Sequence, residues 1–149
     1  MNIAIGVLLV VAGAILALPV IGVVDAAALT RLYGVAFDEP NVVILMRHRA
    51  VMFGLVGAFV IYAAFRPALR PLAFVAAFVA IGSFLAIALA SGGYNAQLRT
   101  VVIADVVALA AALAALALHA LARRRAAHGD GVVMESVRDR RSTGSSSRD

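Results

Sequence analysis

Residues 72–90 read LAFVAAFVAIGSFLAIALA, an apolar run without a single charged side chain. At a rise of about 1.5 Å per residue this run makes a helix about 28 Å long, enough for the hydrocarbon core of a bilayer. Turn chemistry brackets it on both sides. Before it, Arg66-Pro67-Ala68-Leu69-Arg70-Pro71 is a polar turn with two prolines; after it, Ser91-Gly92-Gly93-Tyr94-Asn95 is a second turn. Apolar segments of similar length lie beyond each turn, at 41–65 and 96–121. The first of these forms an antiparallel hairpin with 72–90.

Working outward, residues 3–24 are again free of charge. Pro19 is expected to kink this segment and Asp25 to end it. Ala26-Ala27-Ala28 has the composition of a signal-peptidase site, but no Lys or Arg precedes the run and the run exceeds a usual signal core, so it reads as a span. Between 26 and 41 the chain is mixed, consistent with a short amphipathic helix or an ordered loop. Asp38-Glu39-Pro40 then reads as a helix start, with acids facing the positive end of the helix dipole and proline in the first turn. The fold class is all-α: a four-transmembrane-helix bundle over 1–125, followed by a basic tail over 126–149 whose polar, serine-rich composition predicts disorder.

Composition agrees. Of 149 residues 64% are hydrophobic and 14% charged, where a soluble domain carries roughly a quarter charged residues. There is no cysteine, which excludes disulfides, thiolate iron–sulfur ligation and cysteine zinc sites. There is no tryptophan, leaving Tyr33, Tyr62 and Tyr94 as interfacial aromatics. The net charge is +5, and all thirteen basic residues are arginine, seven of them from Arg123 onward. A basic tail after the last span signals orientation and contact with anionic lipid, not nucleic acid. Arginine without lysine, with abundant Ala, Gly and Val, matches a high-GC bacterial coding sequence. The expected location is the bacterial inner (cytoplasmic) membrane. With four spans, Arg66, Arg70 and the tail share one side, so the positive-inside rule places both termini in the cytoplasm.

Charges inside a span mark a functional site or a structural pair. Four residues qualify: Arg47, His48 and Arg49 in the second segment and Asp105 in the fourth. Both segments start from the same side, and all four residues lie roughly 10–14 Å from their helix starts at about 1.5 Å per residue. A carboxylate and a guanidinium at one depth can pair. Helical phase puts Arg47 above the small residues Ala50, Gly54 and Ala58, and Asp105 above Ala108, Ala112 and His119, so these two faces are expected to meet. His48, between two arginines, is expected to be a hydrogen-bonded neutral imidazole. Asn95 and Arg99 stand at the mouth, where contact with an anionic ligand is one role and loop or interfacial packing the other. No metal site is expected, since His48, His119 and His128 lie at different depths. No nucleotide-binding, dinucleotide-binding or serine-hydrolase motif occurs, so neither a cofactor nor a catalytic residue is assigned.

The stretch Leu32-Tyr33-Gly34 through Asp38-x-Pro40, then Arg49-Ala50-Val51-Met52-Phe53-Gly54, resembles the loop and second helix of small four-helix bacterial membrane proteins, loosely DoxX-like. The matching positions are Arg49, Ala50, Phe53 and Gly54, and the likeness fades over the fourth segment. The resemblance implies Arg49 as the functional arginine, whereas helical phase favours Arg47. It also implies a link to membrane redox complexes. The functional expectation is an accessory or small-ligand-binding membrane protein with a polar site near its outer face. The alternatives are a subunit of a redox or quinone-linked complex and an oligomeric proton-coupled carrier. Expected partners are the bilayer itself and a second copy or other subunits of a membrane complex.

Overall fold

A computed structural model describes residues 2–145, and of Ala26 and residues 126–145 the backbone alone. Every regular element among the described residues is helical. Helix α1 (Asn2–Ala17) continues as a 3-10 segment, Leu18–Val23. The change of helix type falls at Pro19, which has no N–H for the carbonyl one turn earlier and crowds that carbonyl with its ring. Asp25 then caps α2 (Ala26–Tyr33), its carboxylate accepting the Ala27 N–H at 2.9 Å. Gly34 ends α2 in the left-handed region, φ 65°, donating to the Thr30 carbonyl at 2.8 Å. Glycine takes that conformation without a Cβ clash. The stretch after the first span is therefore a helix and then a loop.

Helix α3 (Pro40–Ala64) starts where the acid–proline signal places it. Glu39 is the cap, accepting the N–H groups of Asn41 at 3.1 Å and Val42 at 2.8 Å, with Pro40 in the first turn. Those two donors hold the Glu39 carboxyl below the ordinary carboxylate range. A 3-10 turn, Pro67–Leu69, leads into α4 (Arg70–Ser91). Gly92 and Gly93, both at positive φ, turn the chain into α5 (Ala96–Ser145). Four stretches are long and apolar enough to cross a membrane: Asn2–Val23, Pro40–Ala64, Pro67–Ser91 and Ala96–Arg125. The expectation of disorder concerns 126–149. Over 126–145 the backbone continues α5, which a proline-free sequence allows, and 146–149 lie outside the described residues.

The four spans pack in a square. Helix α1 lies against α3 and α5, and α4 lies against the same two from the other side. Helices α3 and α5 stand across the diagonal with no direct backbone contact among the described residues. In lipid no hydrophobic gain drives helices together, so close packing must do it. The closest approach is between α1 and α3: a Cβ on Gly57 would stand 2.5 Å from the Gly13 carbonyl oxygen, and one on Gly13 2.7 Å from that of Gly57. This corrects the expected meeting of α3 and α5 through small faces. Ala50 is buried, but Gly54 packs against Val20, and Ala58 is exposed. The partner of that face is α1. Large apolar side chains such as Ile3, Val75, Val79 and Leu89 are exposed around the bundle, as a lipid-facing surface requires.

Candidate functional site

Asp105 sits in the third turn of α5, on the inward face that also carries Val102, Ala108, Ala112 and Ala115. It is 7% exposed and makes no hydrogen bond or ion pair among the described residues. It lines a cavity of about 100 Å³ at the end of the bundle covered by α2. Ile15, Leu16 and Pro19 of the first span form one wall, Leu32 and Tyr33 of α2 the cover, and Thr100, Val101 and Ala104 of α5 another wall. Arg49 and Phe53 of α3 close it. Four of the twelve lining residues, Tyr33, Arg49, Thr100 and Asp105, carry polar groups, and the lining surface itself is almost wholly apolar.

The Arg49 guanidinium is held by three rings: Phe53 at 5.1 Å, Phe84 at 5.4 Å and Tyr33 at 5.5 Å from ring centroid to the guanidinium carbon. They come from α3, α4 and α2, so one cation gathers three elements. Each such contact is worth about 0.5–2 kcal/mol, more when desolvated. A planar guanidinium suits this place because its faces stack while its edge N–H groups stay free to donate. Arg49 makes no hydrogen bond among the described residues. Tyr33 is buried, and burial pushes its phenol above the ordinary value, Arg49 pulling it back and Asp105 pushing it further up. At neutral pH it is an uncharged donor. Its position is set by Asn95, whose Nδ2 donates to the Tyr33 carbonyl at 2.8 Å and the Gly34 carbonyl at 3.3 Å while its Oδ1 accepts the Leu98 N–H at 2.8 Å. One side chain thus starts α5 and fastens the end of α2 to it.

Of the four intramembrane candidates, the structure gathers Arg49 and Asp105 around one cavity. Arg47 and His48 lie exposed on the outward faces of α3. Arg49 faces Asp105 across the diagonal without an ion pair between them. Asn95 has structural partners on both ends of its amide, and Arg99 is exposed on the first turn of α5, away from the cavity lining. Sequence reasoning passed over Tyr33 as a site residue, together with Phe84 and Thr100. Tyr33 carries a signal in retrospect: it sits directly before the glycine that ends α2.

A second polar centre lies at the opposite end. Arg70 is 3% exposed, its guanidinium donating to Asn2 Oδ1 at 3.1 Å and to the Ala64 carbonyl at 3.0 Å. It ties the start of α1 to the last turn of α3, where the helix dipole favours a cation. Its Nε is buried without a partner, as is Nε2 of His119, which rests on Phe74 at 5.8 Å. The sequence reading counts Arg70 as a turn charge. Its phase with Ala73, Phe74, Ala77 and Ile81, all buried, is the signal that separates it from exposed Arg66. Among the described residues no three of His, Asp and Glu cluster in a way that suits a metal ion. Comparison with protein-family models, with curated proteins and with solved structures finds no match.

Proposed function

We propose that this multi-pass membrane protein binds a small molecule in the cavity between Arg49 and Asp105, as a receptor or accessory subunit with no catalytic residue of its own. The observation that carries the reading is Asp105: a residue more than nine-tenths buried, with no hydrogen bond or ion pair among the described residues, lining a cavity. Leaving such a group unsatisfied costs free energy that an apolar residue would avoid. A ligand that donates to it recovers that cost. The same holds for the free edge of Arg49. The proposed setting is the bacterial inner membrane, both termini cytoplasmic and the cavity on the outer side. The arginine asymmetry supports that orientation: Arg66, Arg70 and the seven tail arginines at one end, against Arg31, Arg47, Arg49 and Arg99 at the other. The redox-complex reading rests on the loose DoxX-like resemblance alone.

The test is native mass spectrometry of protein released from cell membranes in native lipid particles. One small molecule per chain is expected, with lower occupancy in Arg49→Gln and in Asp105→Asn. Absence of any such adduct, or equal occupancy in all three proteins, would overturn the proposal. A second reading, proton-coupled carriage, draws on the same unpartnered carboxyl, since a buried acid in a cavity can exchange a proton with what passes it. Uptake that depends on Asp105 and on a pH gradient would favour it.

A further inference from the structure

A second cavity, of about 300 Å³, adjoins the first. It lies between the 3-10 segment and α2, lined by Ile21, Gly22, Ala28 and Arg31, and it shares Leu18 and Leu32 with the Arg49–Asp105 cavity. Shared walls at Leu18 and Leu32 let the two serve as one groove, with Arg49 and Asp105 lining its deep end and Arg31 its mouth. Gly22 fits this arrangement: a Cβ there would run into the side chain of Leu29, which seats α2 on the segment below it and would have to shift.

The polar groups along the groove differ in what they lack. Arg31 at the mouth already has a counter-ion, Asp25 at 3.3 Å. At the deep end the Arg49 guanidinium and the Asp105 carboxyl make no hydrogen bond or ion pair among the described residues, one supplying donors and the other an acceptor. An anionic head placed there would meet the Asp105 carboxyl, and a cationic one would meet Arg49. An uncharged head with both an acceptor and a donor satisfies the two at once. The deep cavity, about 100 Å³ against about 300 Å³ for the other, is the tighter of the two and takes the small head. The larger apolar cavity takes the chain.

From this we infer that the ligand is an uncharged single-chain amphiphile. Its hydroxyl-type head lies between Arg49 and Asp105, and its chain passes Leu18 and Leu32 into the cavity between α2 and the 3-10 segment. The inference rests on the ligand-binding reading above and adds the ligand's class and direction.

Two photoreactive dodecanols test it in lipid nanodiscs holding the full chain, one with a diazirine beside the hydroxyl and one with it at the chain end. The head reporter should label the segment 100–105 saturably, and the tail reporter the segment 21–31. Plain dodecanol should compete with both, and dodecanoate with neither. Asp105→Leu, which removes the acceptor, should weaken head labelling about tenfold, the loss of about one hydrogen bond to a charged or acidic group. Ala28→Phe should remove tail labelling by filling the second cavity. Ile21→Trp is the second variant should Ala28→Phe lose helical content. Saturable head labelling with tail label on the lipid face at Ile87 and Leu89 would overturn the groove while leaving ligand binding intact. Equal competition by dodecanoate would overturn the uncharged head. Labelling that saturates with neither reporter would overturn both this inference and the reading beneath it.

Discussion

Arg49 and Arg47 are two residues apart, yet α3 turns one toward the cavity and the other outward. Sequence alone left this choice open, because phase arguments need to know which neighbour a helix faces, and the alanine and glycine of this chain offer small faces in several directions. Once α1 is the neighbour, Ala50 points inward and Arg49 follows it toward the α2 end. The consequence is measurable with a double-mutant cycle in detergent. Arg49→Gln and Asp105→Asn should be non-additive by about 0.5–3 kcal/mol, as for groups sharing one cavity. Arg47→Gln and Asp105→Asn should simply add. Additivity in both cycles would remove the electrostatic link across the cavity. Arg70 carries the opposite lesson. Its charge placed it in a solvated turn, and only the buried stripe that starts with it shows that it belongs inside, holding Asn2 and the end of α3.

At the scale of elements, caps and breakers were readable because they act locally. Glu39-Pro40 starts α3, Asp25 ends the first span and Asn95 starts α5, each through hydrogen bonds within three residues. The Glu39 cap predicts a pH dependence. Its carboxyl is held below the ordinary range, so the cap is fully present above the unfolded value and is lost as the pH falls through the lower folded value. Protection of the Asn41 and Val42 amides against hydrogen exchange, referred to an unstructured peptide at each pH, should drop over that acidic window and stay flat above it. What local reading could not supply is the Gly13–Gly57 approach, since nothing near either glycine names the other. Gly57→Ala should push α1 and α3 apart and destabilise the bundle by about 1–3 kcal/mol, the cost of overpacking a close contact. Gly82→Ala, where an added Cβ has open space, should be near neutral in the same denaturation series.

For the whole molecule, the spans were legible to within a few residues because length and apolarity decide them, and both are properties of the sequence. The order in which the spans pack was not, since any square of four helices satisfies the same hydropathy. Orientation is a matter of charge distribution, and reporter fusions after Pro71 and after Arg125 should both report cytoplasm. A periplasmic signal from the Arg125 fusion would reverse the bundle or remove a span. The square packing also bears on mechanics. The first span and α3 touch along their length, from Gly6 near the Ala64 carbonyl through Gly13 on Gly57 to Val20 on Gly54, while the diagonal pair α3 and α5 share no backbone contact among the described residues. The Arg49 and Asp105 walls of the cavity therefore belong to the two spans that no seam joins. Space between those walls can change while the α1–α3 rail, and the hold of Arg70 on Asn2 and the Ala64 carbonyl at its far end, stay as they are.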